Sequence, residues 1–421
     1  MAQSTTPSAS ANRPYGVLGR KLGHSYTPVI YRELAGLDYR RFELEPEELE
    51  AFLRGAAWEG VNVTIPYKKD VAVLMDKLSP VAQRLGNVNT VTRLADGRLY
   101  GDNTDYYGFK VLVESLGLDL HGKKVVVFGA HGGAGSTAMV VLQDMGAEPI
   151  GIGRTGTDTY SSLDCHADAT LAINCTPVGM FPTCPAAPCT LDTLPNLQGF
   201  IDIVYNPART SLMMEAERRG IPVAGGLLML VAQAAQAVER YTGTMPDMER
   251  VRDVTARLAA TEENIALIGM PGSGKTRVGE NLAKRLGREH VDIDHALEAR
   301  LGCSCADFIT AHGEESFREE ETATLHEVAA RSGLVISCGG GVVTRPENYP
   351  LLHQNSRIVM LNRPLGELAK KGRPITARDG IEALAKRRMP LYRTWADIVI
   401  DSCETAQLTA RAVADALPPM L

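Results

Sequence analysis

The 421-residue sequence predicts an α/β protein in which an N-terminal mixed α/β region is followed by two series of parallel strands. From Lys123 onward, buried apolar runs alternate with stretches of helical period. A second series of the same kind begins at Asn264. The first strand of each series runs into a glycine-rich turn, GAHGGAGS from Gly129 and GMPGSGKT from Gly269. These observations indicate two nucleotide-binding units of different kinds in one chain.

Length and composition limit the class of protein. The net charge is −6, and 44% of the residues are hydrophobic. A chain of this length is sufficient for two or three domains with full cores, and its negative charge argues against a nucleic-acid partner. No apolar stretch reaches the roughly 18–20 residues of a membrane helix. The N-terminus lacks a secretory signal, and the eight cysteines form no C-x-x-C pair. We therefore predict a cytoplasmic protein without nucleic-acid or membrane partners, and the sequence leaves its oligomeric state open.

Residues 13–112 form the first predicted domain. Asp96-Gly97 between two apolar-alternating runs predicts a hairpin. Polar residues cluster in GHSYTP, NVTIPYK, VNTV and DNTD, each of which alone is a turn or cap signal. A lysine near a carboxylate, such as Lys68 near Asp105, indicates more than a turn or a cap. Such a pair can exchange a proton with an alcohol while hydride moves to or from a nicotinamide.

Residues 113–226 are predicted to form a Rossmann-like dinucleotide-binding domain with the strands KKVVVFG, EPIGIGR, TLAINCT and GFIDIVYN. GIGRTG from Gly151 fits G-x-G-x-x-G, whereas GAHGGAGS does not. Only the latter is followed by a helical apolar stripe, STAMVVLQDMGA. Because phosphate binding needs a helix N-terminus, we assign the pyrophosphate to Gly129–Gly135. Arg154 lies where an acid would bind the ribose of NAD, so it favours NADP; an exposed structural arginine is the alternative.

Residues 244–262 are predicted to be a partly helical linker, and residues 263–421 a P-loop domain with a parallel sheet. GMPGSGKT fits G-x-x-x-x-G-K-[ST], follows a strand and precedes a helical pattern. Lys275 is expected to reach the phosphates of ATP, and Thr276 to bind Mg²⁺.

Several polar residues follow the P-loop. Asp292 and Asp294 end a probable strand and are expected to face the same way; a helix N-cap with a solvent carboxylate is the alternative. Arg318 lies among acids, which is usual for a solvated helix face. Gly339–Gly341 follow the strand LVIS and indicate close backbone approach to a ligand. Two further arginines are Arg373 in GRPIT and Arg388 in RRMPLYR.

Six motifs follow one another from about Asn264 to Ser402: the P-loop, D-x-D, F-R-x-x-E, G-G-G, R-P and R-x-P-L-Y. This is the order found in shikimate kinase, and this half resembles that family. The resemblance implies that Arg318 and Arg388 bind the carboxylate of shikimate and that Asp294 orients its attacking hydroxyl. It also implies backbone contacts from Gly340 and Gly341, a lid arginine at Arg373, and ATP contacts from Gly272, Ser273, Gly274, Lys275 and Thr276, with Mg²⁺ at Thr276 and Asp292. The stretch before Arg373 is shorter than in many members, where another arginine occurs; Lys370 or Lys371 is the candidate to replace it.

From about Arg13 to Gly243, the signatures H-S-x-S-P, N-V-T-x-P-x-K, V-N-T, N-T-D and D-x-x-Y-N-P make the first half similar to shikimate dehydrogenase. The resemblance implies Lys68 and Asp105 as the catalytic pair, and a return of residues 227–243 to the substrate domain. The implied substrate contacts are Ser25, Thr27, Asn62, Thr64, Asn89, Tyr205 and Gln233. The implied cofactor contacts are Gly129, Gly132, Gly133, Ala134, Gly135, Arg154, Thr155 and Met229.

This half departs from the family at four positions. Thr27 stands where serine is usual, and Asn87 stands where alanine is usual. His131 makes the dinucleotide turn one residue longer, and Leu228 replaces a common glycine.

The two resemblances imply a bifunctional enzyme of the shikimate pathway, which leads to chorismate and the aromatic amino acids. NADPH-dependent reduction of 3-dehydroshikimate would yield shikimate, and ATP-dependent phosphorylation would then yield shikimate 3-phosphate. One alternative is a quinate/shikimate dehydrogenase fused to a kinase of shifted specificity. Another is a regulator that senses these ligands without turnover.

Overall fold

The computed structural model describes residues 13–23, 26–368 and 379–420. This part of the chain divides into two compact units. The first contains the chain up to Thr176, Leu191–Ile203 and Gly220–Thr255. The second contains Pro177–Thr190, Val204–Arg219 and the chain from Ala256 onward. Two segments of the predicted dinucleotide domain, 177–190 and 204–219, thus group with the P-loop region, and the finer domain limits given above stay predictions.

A six-stranded mixed sheet, in the order β2-β1-β3-β5-β6-β4, forms the N-terminal part of the first unit. Its strands are β1 Tyr15–Gly19, β2 Tyr39–Glu43, β3 Gly60–Val63, β4 Lys77–Leu78, β5 Thr90–Arg93 and β6 Leu99–Asp102. Its helices are α1 Thr27–Ala35, α2 Leu49–Arg54, α3 Lys68–Val73, α4 Pro80–Leu85 and α5 Asp105–Glu114. The hairpin predicted at Asp96-Gly97 is confirmed, since β5 and β6 pair antiparallel and Gly97 has φ 83°.

A five-stranded parallel sheet, in the order β11-β10-β9-β7-β8, follows in the first unit. Its strands are β7 Lys124–Phe128, β8 Glu148–Ile152, β9 Leu171–Asn174, β10 Gly199–Asp202 and β11 Val223–Gly225. Helix α6 is Gly133–Asp144, α7 in the second unit is Ser211–Arg218, α8 is Leu227–Thr242, and α9 is Met248–Glu262. An α-helix thus follows the turn at Gly129, as predicted, whereas the described residues 153–170 after β8 form turns and a 3₁₀ segment, Tyr160–His166.

A second five-stranded parallel sheet, in the order β13-β14-β12-β15-β16, carries the second unit. Its strands are β12 Asn264–Ile268, β13 His290–Asp292, β14 Val335–Ser337, β15 Ser356–Asn362 and β16 Ile398–Asp401. Its helices are α10 Lys275–Leu286, α11 Ile293–Leu301, α12 Cys305–Ala329, α13 Asn348–His353, α14 Ile381–Trp395 and α15 Ala406–Ala416. None of the helices in the described ranges has the length and apolarity needed to cross a bilayer.

Strand β12 shows why its sequence is a continuous apolar run. Ala266 and Ile268 pack into the core on one face of the sheet. Ile265 and Leu267 pack into the core on the other face. Helices therefore cover both faces, and a parallel strand between two covered faces has no polar side.

Within the second unit, a partly buried charge cluster joins segment 204–219 to β15 and to Gln354, the residue after α13. The Arg209 backbone N–H donates to Gln354 O at 2.8 Å, and its Nη1 donates to Glu263 Oε1 at 3.2 Å. Glu263 Oε2 accepts from Arg357 Nη2 at 3.2 Å. Charge-assisted bonds of this kind are stronger than neutral ones, so this cluster fixes the segment to the P-loop part of the unit.

Candidate active sites

The first site is built around an ion pair between two helix N-termini. Lys68 is the first residue of α3, and Asp105 is the first residue of α5. Lys68 Nζ lies 2.5 Å from Asp105 Oδ2, and the two side chains are 29% and 19% exposed. The structure thus brings together the two residues predicted to act as a pair, although they are 37 positions apart in sequence. A partly buried pair of this kind can give a proton to a bound ligand and regain it from solvent.

Two further predicted residues converge on the N-terminus of α5. Asn89 Oδ1 accepts from the backbone N–H of Thr104 at 2.8 Å. Thr104 Oγ1 donates to Gln233 Oε1, which lies on α8, at 3.2 Å. Thr104, the residue before Asp105, is therefore held by Asn89, which directly precedes β5, and by Gln233 on α8. Asn89 and Gln233 thus lie at the same site.

Asn62 lies near this site with its amide fully engaged. Its Oδ1 accepts from Tyr39 OH at 2.7 Å and from Tyr241 OH at 2.9 Å. Its Nδ2 donates to Thr90 Oγ1 at 3.0 Å and to Asn89 O at 3.3 Å. In the structure this buried amide therefore connects β3, β5 and α8, and its contact with a substrate stays a prediction.

The remaining predicted substrate contacts are placed as follows. Thr64 follows β3 and is half-buried, and Thr27 begins α1. Tyr205 belongs to the second unit and is 41% exposed. Ser25 lies outside the described residues.

The candidate dinucleotide turn connects β7 to α6. Gly129 has φ 76°, a left-handed conformation that favours glycine. Gly132 N donates to Gly129 O at 3.0 Å, and a Cβ on Gly135 would come within 3.0 Å of the same oxygen. Any larger residue at position 135 would push the helix away from the turn. The tight turn therefore leads directly into the N-terminus of α6, the arrangement that is predicted to bind a phosphate.

The other predicted cofactor residues surround this turn. Gly133 begins α6, and Ala134 follows it. Arg154 and Thr155 are exposed immediately after β8, the strand that pairs with β7. Met229 on α8 packs against the core of this sheet.

The P-loop of the second unit has three glycines in left-handed conformations, Gly269, Gly272 and Gly274. Lys275 is the first residue of α10, and its Nζ donates to Gly269 O at 2.9 Å and to Met270 O at 3.1 Å. The ammonium is thus held over the loop, where it can meet phosphate oxygens.

The predicted magnesium residues lie side by side. Thr276 Oγ1 donates to Asp292 Oδ2 at 2.7 Å. A hydroxyl and a carboxylate next to a phosphate loop are the oxygen ligands that Mg²⁺ prefers, so the residues present fit this ion.

A pocket of 440 Å³ opens beside the P-loop. Arg318, on α12, is 6% exposed, and its Nη1 donates to Glu321 Oε2 at 2.6 Å. Arg388, on α14, is also buried, and its Nη1 donates to Gly340 O at 2.9 Å. Arg318 packs so closely on Gly341 that a Cβ there would come within 3.0 Å of the guanidinium. Two forked cations therefore meet at the triglycine turn, which suits a planar anion such as a carboxylate.

The charges of these arginines are affected differently by their surroundings. Burial lowers the pKa of Arg388. Burial also opposes the charge of Arg318, but Glu321 and Glu314 outweigh it and raise its pKa. Arg318 is therefore the more firmly charged of the two.

Asp294 opens into this pocket, but the structure places it differently from the prediction. The expectation that Asp292 and Asp294 both end a strand is wrong, because the strand stops at Asp292 and Asp294 lies in the first turn of α11. Asp292 Oδ1 caps that helix by accepting from Asp294 N at 3.0 Å. Both carboxylates still line the same pocket.

The protonation of Asp294 is shifted by its surroundings. Its side chain faces the pocket, whose walls enclose most of it. This burial is the largest of the causes that raise its pKa to about 6, and the like charges of Glu321 and Asp292 add to it. A carboxylate with a pKa near the working pH is suited to accept a proton.

Glu321 is a residue of this site to which the motif analysis gave no role, although it is the last letter of F-R-x-x-E. It is 1% exposed and pairs with Arg318 three residues earlier on α12. The i, i+3 spacing of opposite charges on a helix was the available signal. Arg373 and the lysines at 370 and 371 lie outside the described residues.

Comparison with known proteins decides the family. The family model described as Shikimate dehydrogenase substrate binding domain matches residues 17–91. A shikimate dehydrogenase (NADP(+)) of Geobacillus sp. is 34% identical over 268 residues, which cover 57% of this chain and 96% of that protein. The chain belongs to the shikimate dehydrogenase family. The resemblance deduced from the N-terminal motifs is thereby confirmed.

Solved structures of shikimate dehydrogenases share the fold of this half. The enzyme from Thermus thermophilus in complex with NADP(H) and shikimate is 33% identical, with a TM-score of 0.52, covering 58% of this chain and 99% of that chain. A chorismate mutase/shikimate 5-dehydrogenase fusion protein from Clostridium acetobutylicum is 28% identical, with a TM-score of 0.54, covering 58% of this chain and 97% of that chain.

The C-terminal half matches a second family. The family model described as Shikimate kinase matches residues 271–418, which include the P-loop from Pro271 and the pocket beside it. The chain is therefore a shikimate dehydrogenase joined to a shikimate kinase domain, a bifunctional enzyme of the shikimate pathway. A fused kinase of other specificity and a non-catalytic sensor are not favoured by these matches.

Proposed function

We propose that the first half reduces 3-dehydroshikimate to shikimate with NADPH, and that the second half phosphorylates shikimate at its 3-hydroxyl with ATP and Mg²⁺. The observation that carries this proposal is that one chain keeps both reactive arrangements. Lys68 Nζ lies 2.5 Å from Asp105 Oδ2, and in the second unit Arg318 and Arg388 face the pocket that contains Lys275 and Asp294. A ligand sensor would need neither proton-transfer group.

In the reduction, bound NADPH supplies the hydride that reaches the carbonyl carbon. Lys68 gives a proton to the carbonyl oxygen, which becomes the new hydroxyl. Asp105 holds the Lys68 ammonium in place and accepts a hydrogen bond from a neighbouring hydroxyl of the substrate. Asn89 and Gln233 converge on the same point, and Thr27, Thr64, Ser25, Asn62 and Tyr205 are proposed as further substrate contacts.

The turn from Gly129 to Gly135 and the N-terminus of α6 are proposed to bind the pyrophosphate of NADPH. Arg154 and Thr155 are proposed to bind its 2′-phosphate, because they are exposed at the end of the strand adjacent to β7. Met229 is proposed to contact the nicotinamide.

In the phosphorylation, ATP with Mg²⁺ supplies the phosphoryl group. Arg318 and Arg388 bind the carboxylate of shikimate and so fix the orientation of its ring. Asp294 in its ionised form accepts the proton of the attacking hydroxyl. Lys275 neutralises phosphate charge, and Thr276 with Asp292 would hold the metal. The lid role of Arg373 stays a prediction, and so does the cytoplasmic location.

The test is a coupled assay on the intact protein with 3-dehydroshikimate, NADPH, ATP and Mg²⁺. We expect shikimate 3-phosphate to form. Lys68→Ala should abolish NADPH oxidation while kinase activity on added shikimate persists, and Lys275→Ala should do the reverse. Each variant thus serves as the folding control of the other. The proposal fails if the unmodified protein shows neither reaction, or if quinate replaces shikimate with equal efficiency.

A further inference from the structure

Asn87, which stands where the dehydrogenase family usually has alanine, has a defined place in the first site. Its side chain is buried, and only 6% of the residue is exposed. Its Nδ2 donates to Leu85 O at 3.2 Å. Its Oδ1 accepts from Asn103 Nδ2 at 2.5 Å.

Asn103 continues this chain of hydrogen bonds to the reactive residue. It is 2% exposed, and its Oδ1 accepts from the backbone N–H of Asp105 at 3.1 Å. That N–H is one of the first groups of α5, which have no acceptor inside their own helix. Asn103 therefore fixes the start of the helix that carries the Asp105 carboxylate.

The backbone groups at the two ends of this hydrogen-bond chain, Leu85 C=O and Asp105 N–H, determine the orientation of both side-chain amides. Leu85 C=O can only accept, so the Nδ2 of Asn87 must face it, and the Oδ1 of Asn87 must face Asn103. The N–H of Asp105 can only donate, so the Oδ1 of Asn103 must face it. The two requirements agree, and each amide holds the other in its orientation.

The residues on either side of this chain tie the same segment to both partners of the ion pair. Val88 N donates to Lys68 O at 2.8 Å. Asn89 Oδ1 accepts from Thr104 N at 2.8 Å. The segment 87–89 therefore contacts the start of α3 through one residue and the start of α5 through the other two.

We propose that Asn87 is a positioning residue of the dehydrogenase site, which acts through Asn103 to set the distance between Asp105 and Lys68. This inference rests on the proposed reduction. Without a side-chain acceptor at position 87, Asn103 Nδ2 keeps only its bond to the backbone Asn87 O at 3.5 Å among its described contacts, a poor hydrogen bond. The amide of Asn103 is then free to turn its donor toward the N–H of Asp105. A buried donor facing a donor is unfavourable, so the first turn of α5 shifts and moves the carboxylate away from Lys68.

The test compares two variants of matched size in the full chain. Asn87→Leu has a similar shape but no acceptor, whereas Asn87→Asp keeps an acceptor facing Asn103 and, in its protonated form, a donor facing Leu85 O. We expect Asn87→Leu to lower the dehydrogenase kcat about tenfold, because small displacements of reacting groups have effects of this order. Its KM values for 3-dehydroshikimate and NADPH should change less than about twofold, and Asn87→Asp should keep kcat within about threefold.

Kinase activity in the same chain and far-UV circular dichroism report folding. If Asn87→Leu does not fold, it is replaced by Asn87→Ala, because a smaller side chain cannot clash with its neighbours. A double-mutant cycle with Asn103→Ala adds a readout that a general loss of stability would not give: in the Asn103→Ala background, removing Asn87 should lower kcat no further.

The inference is overturned if Asn87→Leu keeps the full kcat, if Asn87→Leu and Asn87→Asp lose it equally, or if the two sites act additively. These results are distinguishable from failure of the proposed function, which would appear in the unmodified protein as an absence of 3-dehydroshikimate reduction.

Discussion

The kinase half should show an acid limit set by Asp294 and tuned by Glu321. The pKa of Asp294 is raised to about 6 by burial, by Glu321 and by Asp292. Because the ionised carboxylate is proposed to accept the hydroxyl proton, kcat/KM for shikimate should be full above the pKa of Asp294 and fall as the pH drops through it. A Mg²⁺ ion held by Asp292 would place that pKa below its value in the metal-free protein. Glu321→Gln removes one of the causes and keeps the shape of the side chain.

The size of the effect follows from the distance between the two carboxylates. Glu321 Oε1 and Asp294 Oδ1 both lie within 3.0 Å of the position that a Cβ of Gly339 would occupy, so they are at most about 6 Å apart. Two unit charges at that distance interact by about 0.7–3 kcal/mol for effective dielectric constants of 80 and 20. Because Arg318 pairs with Glu321 at 2.6 Å and offsets part of its charge, the lower part of this range applies, which corresponds to about one pH unit.

The sign is fixed by the charge that is removed. Glu321 is a like charge that opposes ionisation of Asp294, so its neutralisation lowers the pKa of Asp294. The acid limb of kcat/KM should move to lower pH by about one unit. A decrease in the pH-independent plateau should accompany this shift, because Arg318 loses its ionic partner at 2.6 Å.

The assay is the pH dependence of kcat/KM for shikimate between pH 4.5 and 8, with the dehydrogenase activity of the same preparation as a folding control. Glu319→Gln is the matched control, since Glu319 lies on the same helix but is exposed. It should leave the profile unchanged. An acid limb that stays in place or moves to higher pH in Glu321→Gln would refute the argument.

Three further changes test other parts of the structure. Arg154→Ala should raise the KM for NADPH about tenfold and leave that for NADH unchanged, because it removes the proposed charge-assisted contact with the 2′-phosphate; equal effects on both cofactors would contradict the proposal. Gly341→Ala should raise the kinase KM for shikimate about tenfold, since its Cβ would come within 3.0 Å of the Arg318 guanidinium and displace it; an unchanged KM in steady-state assays would show that Arg318 can move without cost. Arg209→Ala should destabilise the second unit by about 1–3 kcal/mol, because the buried Glu263 carboxylate loses a charged partner. Denaturant unfolding followed by Trp395 fluorescence in a Trp58→Phe background measures this, with Arg411→Ala at the surface as control, and equal midpoints for the two variants would contradict it.

The motifs predicted much of both sites because their chemistry is local. A helix follows each glycine-rich turn, as predicted, and begins inside the motif itself, α6 at Gly133 and α10 at Lys275. The G-x-G-x-x-G sequence at Gly151 does not predict a phosphate site for the same reason, since the stretch after it has no helical period. Asp294 was misplaced at a strand end because a three-residue strand that turns directly into a helix leaves no periodicity to follow.

The sequence by itself predicted the residues that are proposed to carry the chemistry: two nucleotide turns, a lysine with a candidate aspartate, and a kinase pocket with its arginines. These depend on backbone conformation and residue type over a few neighbouring positions. Only the tertiary structure decided which of them touch. Lys68 meets Asp105 across 37 positions, Asn87 orients Asn103 across 16, and Arg209 reaches Glu263 across 54. The physical reason is that a hydrogen bond between distant residues requires their helices and strands to pack at one relative position, and that position is set by the shared cores.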